Sequence, residues 1–214
     1  ITATFFLECL PKNVKVINNP VSVRNVSEKF YSINFLKYMP PTIFTKNIEE
    51  IKKFLKKYKK IVIKPIHGYG GKNILFINKL ISKIKILNYI KKFDHIMVQK
   101  FIPQVTKGDK RIFIINGLVK GAIQRVPRKG SFVTNLAQGG KAIKTKLNYR
   151  ELKISKTVAK HLKKSKIFFA GIDLVSNYLI GDINVTSPTG LKNFKDLSGV
   201  NLAEDFWNNL EKLK

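Results

Sequence analysis

The stretch from Gly171 to Thr189 constrains this chain more than any other. It reads as two short strands around a turn at Ser176-Asn177. Asp182 and Asn184 are two apart, so on a strand they share a face. Asp173 lies on the opposing strand and can face them across the hairpin. Two carboxylates and an amide oxygen would then meet among Leu, Val and Ile. Their repulsion is costly unless a positive charge offsets it. A hard cation with oxygen ligands, such as Mg²⁺ carrying a nucleotide's phosphates, would do so. Pairing with some of the chain's many lysines would also do so, and the residues alone leave both readings open.

A chain of 214 residues, 44% of them hydrophobic, can bury a full core as one large domain or two small ones. No apolar run is long enough to cross a bilayer, so no membrane partner is expected. Residues 1–8 include Glu8 and no basic leader, which argues against a secretion signal. The chain does not start with Met and reads as a fragment. Cys9 is the only cysteine, so no internal disulfide forms, and a reducing, cytoplasmic setting is expected. The net charge of +28 would attract polyanions. Yet the excess is 36 Lys against 5 Arg, spread among many Ile and Asn. Nucleic-acid readers favour Arg for bidentate contacts. The codons of Lys, Ile and Asn are rich in A and T, so genomic bias accounts for this texture without a specific nucleic-acid partner.

Along the chain, residues 15–18 read as a strand ended by Asn19-Pro20. Ser22 fits the N-cap of a helix through about Tyr38. Residues 42–45 read as a strand, and Asn47 caps a helix over 48–58. Residues 61–65 form a buried-type strand running into His67-Gly68-Tyr69-Gly70-Gly71, with a returning strand over 73–77. Such a loop lets backbone amides approach a phosphate, though it lacks the Walker pattern. Lys64 sits in the apolar strand, where a cation needs an anionic partner. The histidines show no metal-binding spacing. A basic helix is expected over 79–93, a strand over 96–102, and a hairpin of 110–116 and 118–125 about Asn116-Gly117. Residues 127–141 read as a mobile lid or binding loop. Helices are expected over 149–164 and 202–213.

Several of these stretches together resemble the ATP-grasp ligases: Ile61 to Gly71, Gly108-Asp109-Lys110-Arg111, Asn135 to Gly140, and Asp182 to Thr189. Asn184-Val185-Thr186-Ser187-Pro188-Thr189 is similar to bacterial glutathione synthetases in particular. So is Asn18-Asn19-Pro20 through Ser22, Arg24, Glu28, Lys29 and Phe30. The resemblance spans nearly the whole chain in order. It implies an α+β, ATP-grasp fold of two lobes with a nucleotide cleft between them. Residues 1–22 would end a preceding substrate domain, 23–100 form a smaller lobe and 101–214 the lobe with the metal site.

The activity implied is ATP-dependent ligation of γ-glutamylcysteine to glycine through an acyl phosphate, in a cytoplasmic homo-oligomer. By the same resemblance Lys29 and Lys64 contact ATP phosphates, and Gly68, Tyr69, Gly70 and Gly71 fold over them. Gln99, Lys100, Phe101 and Ile102 border adenine, and Asp109 meets the ribose. Arg111 and Arg125 hold the transferring phosphoryl group, and Asp173, Asp182 and Asn184 bind Mg²⁺ or Mn²⁺. Four positions depart from the family pattern: Asp182 for Glu, His67 for Asp, Lys100 beside adenine, and Val133 for a lid Arg. The competing readings are an ATP-grasp ligase that adds amino acids to a peptide or protein tail, and a basic nucleic-acid-binding module without catalysis.

Overall fold

The computed structural model describes residues 2–68, 71–78, 83–128, 134, 136 and 139–212. Its strands form two antiparallel sheets, so the expected α+β class is what folds. Strands β1 (Thr42–Thr45), β2 (Ile61–Pro65), β3 (Leu75–Ile77) and β4 (Ile96–Lys100) lie in the order β1-β4-β2-β3. Strands β5 (Asp109–Ile115), β6 (Leu118–Val126), β7 (Lys141–Lys144), β8 (Phe169–Val175) and β9 (Tyr178–Asn184) lie in the order β7-β6-β5-β8-β9. The helices are α1 (Thr2–Glu8), α2 (Pro20–Asn25), α3 (Ile48–Tyr58), α4 (Lys83–Phe93), α5 (Tyr149–Lys164), α6 (Leu191–Ser198) and α7 (Leu202–Glu211). No helix among the described residues is long and apolar enough to cross a membrane.

Local chemistry explains many of these boundaries. Asparagine side chains cap four helix starts: Asn19 before α2, Asn47 before α3, Asn148 before α5 and Asn201 before α7. At α5, Glu151 returns the bond to the Asn148 backbone and completes a capping box. The tight turns Asn116-Gly117 and Ser176-Asn177 both have positive φ at each central residue, which suits the twist of a hairpin.

Packing explains the sheets. The α3 and α4 side chains Ile51, Phe54, Leu55 and Ile86 cover Ile61, Ile63, Ile96 and Val98 of the first sheet. Strand β5 is buried on both faces. Ile112 and Ile114 pack toward Ile154, Val158 and Leu162 of α5. Phe113 and Ile115 pack toward Phe194 of α6 and Leu202 of α7. A strand covered on both sides is apolar without alternation, and Ile112–Ile115 has that character.

Several expected elements differ. The helix expected from Ser22 to Tyr38 is α2 followed by a separate 3₁₀ segment, Phe30–Tyr38. Its cap is Asn19, whose Oδ1 accepts from both the amide and the hydroxyl of Ser22. Val26, Phe35 and Met39 of this region enter the core of the second sheet, although residues 23–100 were expected to form the smaller lobe. The first part of the helix expected over 79–93, residues 79–82, lies outside the described residues. The strand expected over 96–102 ends at Lys100, and α6 was not foreseen.

No strand forms at residues 15–18. There the Asn18 side chain takes over the bonding. Its Oδ1 accepts from the amides of Phe168 and Phe169 at 2.7 and 2.8 Å. Its Nδ2 donates to the carbonyls of Phe169 and Val185, each at 2.7 Å. This joins the start of β8 to the end of β9. Asn18→Ala would leave these backbone groups without partners. It should destabilise the fold by about 2–4 kcal/mol, read as a lower denaturant midpoint with an unchanged slope.

Candidate active site

The cleft lies between the two sheets. On β2, alternation sends Ile61 and Ile63 into the helical side and leaves Val62 and Lys64 on the cleft. The opposite wall carries Val175 of β8 and Ile180 and Asp182 of β9. Strand β9 is bulged: Ile172 pairs with Ile183 and Leu174 with Leu179, so Ile180, Gly181 and Asp182 together face Asp173. Such a bulge re-aims side chains. Gly181 has φ +91°, and a Cβ there would lie 2.6 Å from Met97 Cε of β4. Glycine at this point lets the two walls come close.

Two buried lysines meet at the mouth of the bulge. Lys64 Nζ donates to the Ile180 carbonyl at 2.9 Å and stands 3.4 Å from Gln99 Oε1 and 3.7 Å from Asp182 Oδ2. Lys29 Nζ donates to the Gly68 carbonyl at 2.7 Å. It lies 3.3 Å from Asp182 Oδ1 and 3.6 Å from Glu28 Oε1. Their titrations diverge. Burial pulls the Lys64 ammonium below the usual lysine range, and Asp182 offsets only part of this while Lys29 adds repulsion. Burial works against the Lys29 charge too, but Asp182 and Glu28 together outweigh it and raise its pKa.

Beside them lies a closed ionic network. Arg111 opposes Asp173 on β8, and Asp109 opposes Arg125 on β6, in direct cross-strand register. Arg111 Nε and Nη2 donate to Asp173 at 2.5 and 2.9 Å. Arg125 Nε and Nη2 donate to Asp109 at 2.7 and 2.6 Å, and Nη2 also reaches Asp173 at 2.7 Å. Thr134 donates to Asp109 at 2.5 Å. Burial opposes the Asp173 charge, but the two guanidinium groups hold its pKa down to about 2. Burial, reinforced by Asp173, raises Asp109 despite Arg125. No described residue accepts from the remaining Nη1 of Arg111 or Arg125.

The expected site residues therefore fall into distinct places. Lys29, Lys64, Gly68 and Asp182 come together. Gln99, Lys100, Phe101 and Ile102 line the apolar end of the cleft, a cavity of about 170 Å³. The rings of Phe76 and Phe101 lie 4.6 Å apart there. Lys100 is exposed, with its ammonium 5.9 Å from the centre of the Tyr58 ring. Gly71 follows the loop with φ +73°. Tyr69 and Gly70, Val133, and most of the expected lid lie outside the described residues. His67 lines a separate hollow with Phe30, Phe44 and His95.

Two expected site residues are paired within the protein. Asp109, expected at the ribose, is buried beneath Arg125 and Thr134 and does not line the cavity. Asp173, expected to share one cluster with Asp182 and Asn184, gives its oxygens to the two arginines. Among the described residues no three His, Cys, Asp or Glu side chains converge as a metal cluster. Asn184 is half-buried, and its Oδ1 accepts from the amides of Thr186 and Ser187 at 3.1 and 3.0 Å. The donors still suit a hard cation. Asp182 is partly open to solvent, and Asn184 on the same strand adds an amide oxygen. Glu28 had no assigned role. Its carbonyl accepts from the Ile183 amide at 2.9 Å, a long-range bond that local pattern does not reveal.

Residues 28–199 match the family model described as prokaryotic glutathione synthetase, ATP-grasp domain. A glutathione synthetase from Bradyrhizobium diazoefficiens is 37% identical over 220 residues, covering 99% of this chain and 68% of the relative. One from Prochlorococcus marinus is 40% identical, covering 94% of this chain and 67% of the relative. The chain thus spans about two thirds of the length of these relatives. Among solved structures, a D-alanine–D-alanine ligase from Bacillus anthracis complexed with ATP superposes with a TM-score of 0.68. It is 17% identical and covers 95% of this chain and 70% of that one, which speaks to fold alone. A Chryseobacterium gregarium ATP-grasp ligase in complex with ADP and peptides also gives 0.68, at 18% identity, with 96% of this chain and 65% of that one covered.

Proposed function

Because this chain belongs to the prokaryotic glutathione synthetase family through that family's ATP-grasp domain, we propose that it carries the nucleotide-binding and phosphoryl-transfer half of a glutathione-forming ligase. One observation carries the reading. Lys29, Lys64 and Asp182 meet at one end of an apolar cleft between two sheets, beside the paired Arg111 and Arg125. Adenine would sit between Val62, Phe76, Phe101 and Ile180, against the backbone of Lys100 to Ile102. Its phosphates would run toward Lys29, Lys64 and the Gly68 loop.

A γ-glutamylcysteine carboxylate oxygen attacks the terminal phosphorus, and the bond to ADP breaks. The glycine nitrogen then attacks the acyl carbon, phosphate leaves, and the nitrogen gives up a proton. Arg111 and Arg125 are proposed to present Nη1 to the transferring phosphoryl oxygens. Asp173 and Asp109 hold those guanidinium planes from behind. Fixed donors aimed at charge that develops during transfer are the main source of acceleration in such reactions. Asp182 and Asn184 are proposed to ligate Mg²⁺ or Mn²⁺, with Asp173 behind them. The cation would neutralise phosphate charge. Asp109 is proposed to support Arg125.

The test is phosphate release by the full-length protein. It should require γ-glutamylcysteine and glycine together and yield glutathione by mass spectrometry. Turnover with glutamate on a peptide or protein tail, and none with glycine, would overturn the proposal.

A further inference from the structure

We infer that Glu28 is a positioning residue: its carboxylate draws the Lys29 ammonium and so leaves Asp182 available to a divalent cation. This rests on the nucleotide-and-metal part of the reading above.

The cleft holds two ammonium groups and two carboxylates in contact. Lys64 has one acidic partner, Asp182; its other contacts are the Ile180 carbonyl and Gln99 Oε1. Lys29 has two, Asp182 and Glu28, besides the Gly68 carbonyl. Among the described residues, Lys29 is the only ion-pair partner of Glu28. A dication arriving at Asp182 must compete with both ammonium groups for the same two oxygens. Lys64 has no other carboxylate to turn to. Lys29 has Glu28 beside it.

The geometry fits this division. The Glu28 carbonyl is bonded to the amide of Ile183, so the residue is pinned to β9 immediately after Asp182. Lys29 follows Glu28 in sequence and is 4% exposed, while the Glu28 side chain keeps 29% of its surface. A buried ammonium must keep its partners. With Glu28 neutral, Lys29 would fall back on Asp182, and the cation would have to displace two lysines there. Burial raises the Glu28 carboxyl, and Asp182 and Asp173 add to this, while Lys29 opposes it.

Manganese uptake by the full-length protein, followed by electron paramagnetic resonance with saturating ATP and no acceptor substrates, isolates this step. Glu28→Gln keeps the shape and removes the charge. It should raise the manganese concentration for half-saturation by about tenfold. Glu28→Asp retains the charge and should stay near the wild-type value. In a Lys29→Met background the competing ammonium is gone, so adding Glu28→Gln should change nothing further. An unchanged requirement in Glu28→Gln overturns the inference. A rise that persists in the double variant does so too, because Glu28 would then act on the cation directly. A wild-type protein that takes up no manganese with ATP overturns the metal reading itself, and this is seen before any variant is compared. Failure of glutathione formation with normal manganese uptake would instead leave Glu28's role intact and remove only the substrate assignment.

Discussion

Arg125→Lys should lower kcat for phosphate release by about 10³-fold, with the KM for ATP changed only a few-fold. Lysine keeps the charge but loses the planar fork. In the native protein Nε and Nη2 are spent on Asp109 and Asp173, which fixes the direction of Nη1. An ammonium cannot satisfy both aspartates and still point at a third group in that plane. Arg125→Met should add a structural defect. Asp109 and Asp173 are each 4% exposed and would face each other with one cation removed. Breaking a buried pair in this way costs about 3–5 kcal/mol. Arg125→Met with Asp109→Asn should recover much of that stability in denaturant unfolding while phosphate release stays low. Recovery of both would reduce Arg125 to a structural role.

Much of this site was legible in the residues, and the missing part has a physical pattern. The hairpin at Ser176-Asn177, the Asn47 cap, the helix over 149–164 and the cleft position of Lys64 depend on short-range signals: turn chemistry, capping and periodicity. They formed as expected. Asn18 was read as the end of a strand because Val16 and Ile17 precede it, yet its side chain bonds residues 150 and more positions away. The region after Ser22 was read as one helix from apolar spacing, and the chain breaks it to bury Val26 and Phe35 separately. The Asp173 reading looked only along the β8–β9 hairpin, whereas its pairing with Arg111 comes from the β5–β8 register. Three residues of β9 facing Asp173 change what Asp182 sees. The clue for the arginine network was present in Asp109 and Arg111, two apart on a strand, but its partners needed the β5–β6 and β5–β8 registers.

Asp182→Asn tests the metal end of the site, and the structure alters what should be expected. From sequence, removing one of two crowded carboxylates should barely affect folding, since it relieves repulsion. In the structure Asp182 is instead the shared partner of two buried lysines. Its loss should weaken Mg·ATP binding by about 100-fold, roughly 2.7 kcal/mol, in calorimetry. It should also destabilise the ligand-free protein by about 1–3 kcal/mol, because Lys64 then has only carbonyl and amide acceptors. The pH dependence separates this from a general packing defect. The Lys64 pKa is already below its ordinary value of 10.5, and losing Asp182 lowers it further. Between the folded and unfolded values the unfolded chain binds more protons, so stability rises with pH there. Lys29 shifts the other way, and its contribution falls off only as pH passes above 10.5. The variant should therefore regain stability relative to wild type as pH is raised toward 10, measured by denaturant midpoints. A loss independent of pH would mean that Asp182 does not hold the Lys64 charge, and unchanged Mg·ATP affinity would remove it from the metal site.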